Sequence, residues 1–120
     1  MAGKLTTHIL DTARGCPASG IKIELWFIEE QAGEKFLLKT AIANSDGRTD
    51  SPLLANQEFR PGIYELVFEV GSYFAQHLDN LPHPAFFDRI PIRFGIANSE
   101  AHYHVPLLVS PWSYSTYRGS

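Results

Sequence analysis

Cysteine is nearly absent from the sequence, which has only Cys16 among its 120 residues. One cysteine excludes an intrachain disulfide and any zinc site built on several cysteine ligands. Long apolar runs are also absent, and none approaches the ~20 residues that a membrane-spanning helix needs. The amino terminus has no charged segment followed by an apolar run. We therefore expect no secretory signal and a cytoplasmic location.

An excess of positive charge is missing as well. The chain has 10 Lys and Arg residues against 13 Asp and Glu residues, a formal net charge of −3. This balance disfavours a protein that binds nucleic-acid phosphates, so we expect neither a nucleic-acid nor a membrane partner. The sequence also lacks a glycine-rich phosphate loop, a Gly-x-Ser-x-Gly motif and a His-Glu-x-x-His motif.

The sequence does have ample apolar residues in a strand-like pattern. With 44% hydrophobic and 19% charged residues, the chain is too apolar for a disordered protein. Apolar positions alternate with others over most of the chain, as at Ile21, Ile23 and Leu25. A period of two is typical of β-strands. The length suits one domain over residues 1–120.

Turn residues divide the alternating runs into about eight strands. We predict strands near residues 5–11, 21–28, 35–43, 52–55, 62–70, 89–97, 102–109 and 112–118. One short helix is predicted at residues 72–78. Short connections favour antiparallel pairing, and the expected fold class is all-β, a two-sheet β-sandwich around one core.

His102 and His104 form the most distinctive local pattern. Residues two apart on a strand share a face, so both imidazoles are predicted to point the same way. The pair could supply two zinc ligands and one of the remaining histidines a third, but no cluster of acidic or cysteine ligands accompanies them. The same face continues through Pro106 and Leu108. Its mixed polarity favours a subunit interface or a ligand cleft over an ordinary surface strand.

The remaining candidates are weaker on pattern alone. Ser115 and Tyr117 share one face of the last predicted strand, next to the histidine strand. A lone histidine such as His8 is more often structural than catalytic. Arg48 follows an Asp-Gly turn, where arginine is usually solvated but can also hold an oxyanion or a polar heterocycle. These residues indicate a polar surface or cleft and do not specify a reaction.

Several segments resemble a known family. They are residues 5–11 (LTTHILD), 15–18 (GCPA), 46–50 (DGRTD), 102–111 (HYHVPLLVSP) and 114–120 (YSTYRGS). Together they resemble the 5-hydroxyisourate hydrolases of the transthyretin-like family, over essentially the whole chain. The terminal YRGS is the most specific part, since it separates the hydrolases from the hormone carrier transthyretin. One departure is Ser51, where many members have glycine.

The resemblance implies a transthyretin-like fold with two four-stranded sheets and a short helix after the fifth strand. It also implies a homotetramer, a dimer of dimers, with active sites in a channel between dimers. No cofactor and no metal are implied. The residues carried over by position are His8, Arg48 and His104 for catalysis, and Ser115, Tyr117, Arg118 and Ser120 for substrate binding.

The implied reaction is hydrolysis of 5-hydroxyisourate to 2-oxo-4-hydroxy-4-carboxy-5-ureidoimidazoline, in the urate-degradation branch of purine catabolism. Water would open the ring at an amide-like carbonyl. A neutral imidazole, which titrates at about pH 6.5, can take the proton from water. A fixed guanidinium can offset developing negative charge. His8 and His104 are thus expected to orient and deprotonate water beside Arg48, and either histidine can be the base.

Two other functions fit the same scaffold. One is a transthyretin-like carrier that binds a small aromatic ligand in the inter-dimer channel without turnover. The other is a structural β-sandwich that associates through its polar strand faces. The histidines, Arg48 and the terminal tetrapeptide favour the hydrolase over both.

Overall fold

The alternating sequence pattern produces an almost entirely β structure. In the computed structural model, which describes residues 3–120, the chain forms nine strands and one α-helix. The strands are β1 (Lys4–Asp11), β2 (Cys16–Pro17), β3 (Lys22–Glu29), β4 (Glu34–Ile42), β5 (Leu54–Ala55), β6 (Gly62–Glu69), β7 (Arg89–Ile96), β8 (His102–Val109) and β9 (Tyr114–Thr116). The helix α1 spans Val70–His77, and Asn56–Glu58 form a 3₁₀ turn.

Two sheets pack face to face, which confirms the predicted all-β sandwich. One sheet has the order β2-β1-β8-β9, with β5 also paired to β1, and the other has the order β4-β3-β6-β7. The long strands agree closely with the sequence prediction. The strands predicted at 52–55 and 112–118 are shorter in the structure, and the helix begins at Val70 rather than near residue 72. The two-residue β2 was not predicted.

The pairing of β1 with β8 is parallel, whereas the short connections favoured antiparallel strands throughout. A tight turn forces antiparallel pairing only between strands that it joins. These two strands lie far apart in the chain, and the connection between them passes through the opposite sheet. Their register places Lys4 opposite His102, Thr6 opposite His104 and His8 opposite Pro106.

The core determines which side chains of β1 and β8 point outwards. Leu5 and Ile9 of β1 and Leu107 of β8 are fully buried between the sheets. Since side chains alternate along a strand, residues at the intervening positions lie on the outer face. The polar residues there are Lys4, Thr6, His8, His102 and His104. The predicted faces of these two strands are therefore confirmed.

A buried carboxylate fixes the far end of β1. Asp11 is 1% exposed and accepts hydrogen bonds from the backbone N–H groups of Ala13 and Arg14. The Tyr73 hydroxyl in α1 also donates to it, at 2.8 Å. Burial and this hydrogen bond raise the pKa of Tyr73 to about 12. The network connects the carboxyl-terminal end of β1 to the helix.

Within residues 3–120, neither the helix nor the 3₁₀ turn is long and apolar enough to cross a membrane.

Candidate active site

A cleft of about 440 Å³ opens on the outer face of the sheet that contains β1 and β8. The parallel register brings Lys4 and Thr6 of β1 beside His102 and His104 of β8. The turn after β4 contributes Arg48 and residues 49–52. The carboxyl-terminal Ser120 lies on the same cleft. Four segments that are distant in sequence therefore meet at this site.

The Asp-Gly-Arg turn is fixed against β1 by backbone contacts. The Ile9 N–H donates to the Gly47 carbonyl at 2.8 Å, and an isolated β-bridge pairs His8 with Arg48. Gly47 has φ +75°, and a Cβ there would lie 2.4 Å from the Ile9 carbonyl oxygen. Only glycine allows so close an approach. The Asn44 side-chain oxygen accepts the Arg48 N–H and braces the turn from within.

The carboxyl-terminal segment is fixed against β8 in a similar way. The Gly119 N–H donates to the His104 carbonyl at 2.7 Å. A Cβ at Gly119 would lie 2.6 Å from Cδ2 of the His104 ring, so the glycine backbone packs directly on the imidazole. This contact orients the ring and places Ser120 at the cleft.

A threonine hydroxyl lies between the two histidines of β8. Oγ1 of Thr6 is 2.6 Å from Nε2 of His102 and 2.8 Å from Nδ1 of His104. The register explains the arrangement, because Thr6 is opposite His104 and only two residues separate His104 from His102. Among residues 3–120, no protein group forms a hydrogen bond with the other ring nitrogen of His104, Nε2.

The surroundings of the site keep its histidines neutral. Burial, and then the Arg48 guanidinium, lower the pKa of both His8 and His104 below the ordinary value of 6.5. His102 and His8 add to the effect on His104, while the Asp46 backbone and carboxylate partly oppose it at His8. Neutral imidazoles can accept protons at neutral pH.

His102 has a different set of charged neighbours. Burial lowers its pKa, followed by the positive charges of Lys4 and Arg118. The Arg118 guanidinium lies 4.1 Å from the ring centroid of Tyr103 and donates to the His102 carbonyl. Arg118 thus packs across β8 instead of lining the cleft.

The residues predicted for the site are not all equally close to the cleft. Arg48, His104 and Ser120 line it, and His8 lies next to Arg48 on the same face. Ser115, Arg118 and the 61% exposed Tyr117 lie outside its lining. A substrate-binding role for these three stays a prediction.

Sequence reasoning missed Thr6 and Lys4 as members of the site. It considered His102 as a metal ligand and as part of an interface or ligand cleft, without a catalytic role. The available signal was that Thr6 shares a face with His8. That signal becomes useful only when β1 and β8 are known to be parallel neighbours. Within residues 3–120, no group of three or more His, Cys, Asp or Glu side chains is placed to hold a metal ion.

Comparisons with known proteins give a consistent result. The profile of the HIUase/Transthyretin family matches residues 5–119. The chain is 57% identical over 118 residues to the 5-hydroxyisourate hydrolase of Pseudomonas aeruginosa, covering 98% of this chain and 92% of that protein. It is 55% identical to 5-hydroxyisourate hydrolase 2 of Rhizobium meliloti, over 99% of this chain and 98% of that protein.

Solved structures share the fold. An (S)-allantoin synthase superposes with a TM-score of 0.92 at 47% identity, covering 99% of this chain. This chain spans only 44% of that longer protein. The 5-hydroxyisourate hydrolase of Klebsiella pneumoniae gives 0.77 at 34% identity, over 98% of this chain and 99% of that one. Transthyretin from Sparus aurata shares the fold, with a TM-score of 0.83 at 24% identity. The match covers 97% of this chain and 96% of that one.

Replacing Arg48 with Gln is expected to raise the pKa of His8 and His104, because it removes a positive charge that opposes protonation. NMR titration of the histidine rings over about pH 5 to 8 measures both values. In the parent protein both should titrate below 6.5. The Arg60→Gln variant is the control, since it removes the same charge beside Tyr64. If His8 and His104 had the same pKa values in the Arg48→Gln and Arg60→Gln variants, Arg48 would not be the charge that lowers them.

Proposed function

Because the chain belongs to the HIUase/transthyretin family, we propose that it hydrolyses 5-hydroxyisourate to 2-oxo-4-hydroxy-4-carboxy-5-ureidoimidazoline, a step in urate degradation. The curated relatives identify the chain as a hydrolase. The observation that carries the proposal is the cleft in which His104 and Arg48 lie together, with His8 beside them. A proton acceptor and a fixed cation are groups that promote the hydrolysis of a cyclic amide.

His104 is the residue we assign as the base, because it lines the cleft and Nε2 has no protein partner among residues 3–120. It takes a proton from water, and the resulting hydroxide adds to the ring carbonyl. The carbon–nitrogen bond then breaks, and the leaving nitrogen takes the proton back from His104. The ring opens, and no net proton is gained or lost by the protein.

Arg48 stabilises the negative charge that develops on the carbonyl oxygen during this addition. Its guanidinium also lowers the pKa of His104, which keeps the imidazole neutral before the reaction. His8, bridged to the Arg48 backbone, orients the attacking water. Ser120 binds the substrate from the carboxyl-terminal segment. Ser115, Tyr117 and Arg118 complete the substrate-binding set in this proposal.

The activity can be tested directly with substrate made in the cuvette. Urate oxidase generates 5-hydroxyisourate from urate, and its absorbance decay is followed with and without the protein. We expect faster decay with the protein. Unchanged decay together with saturable ligand binding would instead support the alternative, a carrier that binds a small aromatic ligand without turnover.

The catalytic set makes a second prediction. The variants His8→Asn, His104→Asn and Arg48→Lys should each lower kcat/KM by at least ~10²-fold, the usual scale for a general base or a preorganised charge. The double histidine variant should cost much less than the product of the single effects, because the two residues act as a unit.

His77 at the end of α1 and His83 in the following loop provide the controls, and their Asn variants should keep the parent rate. Activity should also decline as the pH falls below 6.5, because protonated imidazoles cannot accept the proton of water. Near-parent rates for both His8→Asn and His104→Asn, in folded proteins of native assembly, would refute this mechanism.

We also propose a homotetramer, a dimer of dimers with the clefts in a channel between dimers. Strands β7 and β9 are outer edges of their sheets, and proteins rarely leave such edges unprotected. Trp112, Tyr114 and Tyr117 are exposed near the β9 edge. A second copy would cover both features.

Light scattering at micromolar concentration tests the assembly. The expected mass is four times the 13.4 kDa of one chain. A monomer mass would contradict the proposal, because no second copy would then cover the edge strands or the cleft.

A further inference from the structure

We propose that His102, Thr6 and His104 form a proton relay, in which His102 takes up the positive charge that is created when His104 accepts the proton of the attacking water, and holds it while the hydrolytic intermediate exists. The inference rests on the hydrolase function proposed above. It gives a role to two residues, Thr6 and His102, that the catalytic set does not use.

One shared hydroxyl couples the protonation of the two imidazole rings. Oγ1 of Thr6 is within hydrogen-bond distance of both His102 Nε2 and His104 Nδ1. A hydroxyl has one proton, so it can donate to one of these nitrogens while it accepts from the other. The proton position on one imidazole therefore determines the proton position on the other.

Two arrangements of the hydrogen bonds are possible. In the first, His104 Nδ1–H donates to Thr6, and Thr6 donates to His102 Nε2. His104 Nε2 then carries a lone pair and can act as a base. In the second, His102 Nε2–H donates to Thr6, Thr6 donates to His104 Nδ1, and His104 Nε2 carries the proton. Only the first arrangement is ready for catalysis.

The relay step converts the first arrangement into the second. His104 Nε2 takes the proton of water, and the new hydroxide bonds to the ring carbonyl. At the same time His104 Nδ1 passes its proton to Thr6, and Thr6 passes its own to His102 Nε2. His102 becomes an imidazolium and His104 stays neutral. When the carbon–nitrogen bond breaks, His104 Nε2–H protonates the leaving nitrogen and each transfer reverses.

Solvent exposure favours placing the positive charge on His102. His102 is exposed, whereas His104 is half-buried, and water stabilises the charged form of an imidazole. The two rings are 6.0 Å apart between centroids. The transfer therefore moves the charge towards solvent through a single hydroxyl.

Charged and titratable groups face both rings. Those that face His104 are Arg48 from the turn, His8 from β1 and His102 from its own strand. Lys4 from β1 and Arg118 from the carboxyl-terminal segment face His102. Cations on both sides keep the resting rings neutral, so the relay starts without a stored proton.

The ring of His104 is also held on its other side. The Gly119 backbone packs against Cδ2 of the ring and donates a hydrogen bond to the His104 carbonyl. This contact leaves Nδ1 facing Thr6 and opposes a ring flip that would put Cδ2 in the place of Nδ1. The path from Nε2 to Thr6 is therefore fixed by backbone contacts.

The test uses the variants Thr6→Val and Thr6→Ser. Valine has the shape of threonine without the hydroxyl, so the relay is broken and kcat should fall about 10²-fold with little change in KM, because the loss occurs in the transition state. Serine restores the hydroxyl and should retain most of the activity. Thr12→Val is the matched control. It also removes a threonine hydroxyl that hydrogen-bonds to β8, but this hydroxyl donates to the Val109 carbonyl and lies outside the cleft.

His102→Gln separates a relay from simple positioning. The glutamine amide can hydrogen-bond to Thr6, but it does not take up a proton. A relay predicts that His102→Gln loses as much kcat as Thr6→Val, and that the double variant is no worse than either single one. Positioning alone predicts near-parent kcat for His102→Gln, and this result would overturn the relay.

Rates in mixtures of H₂O and D₂O give an independent readout. The relay moves several protons in one step, so the rate should depend non-linearly on the deuterium fraction in the parent protein and linearly in Thr6→Val. The same linear dependence in both proteins contradicts the relay. A parent protein without activity would refute the proposed function itself, whereas an active parent with unaffected variants refutes only the relay.

Discussion

The in-register parallel pairing of β1 with β8 is the constraint on which the site depends. It places Thr6 opposite His104 and Lys4 opposite His102, on the face that points away from the core. The burial of Leu5, Ile9 and Leu107 enforces this orientation, because a slip of one residue would turn every side chain of a strand to the other face. Packing in the sandwich interior thus determines which polar groups meet outside it.

Backbone contacts, together with the strand register, position the residues that line the cleft. The turn at Gly47 and the terminal segment at Gly119 each dock a loop against one of the two central strands. Both contacts exclude a side chain, so they set distances more rigidly than flexible side chains could. Arg48 and Ser120 therefore reach a common cleft, although each lies in a segment that joins the sheet through a single β-bridge.

Much of the fold was predictable from sequence, and the composition of the cleft was predictable only in part. Alternation and turn residues gave the long strands, since these signals are local. The two-residue strand β2 and the parallel direction of β8 were missed, because they depend on contacts between distant segments. Family resemblance supplied His8, Arg48 and His104. It did not supply Thr6, whose significance comes from lying between two rings 96 and 98 positions away.

The separation of the two faces of this sheet has a consequence for how such a protein can evolve. Inward positions of β1 and β8 form the core of the sandwich, while outward polar positions line the cleft. Substitutions at the outward polar positions can alter reactivity without opening a cavity in the core. A lineage can therefore exchange one ligand or reaction for another while it keeps the scaffold. The retention of this fold in a transthyretin only 24% identical to the chain is consistent with that freedom.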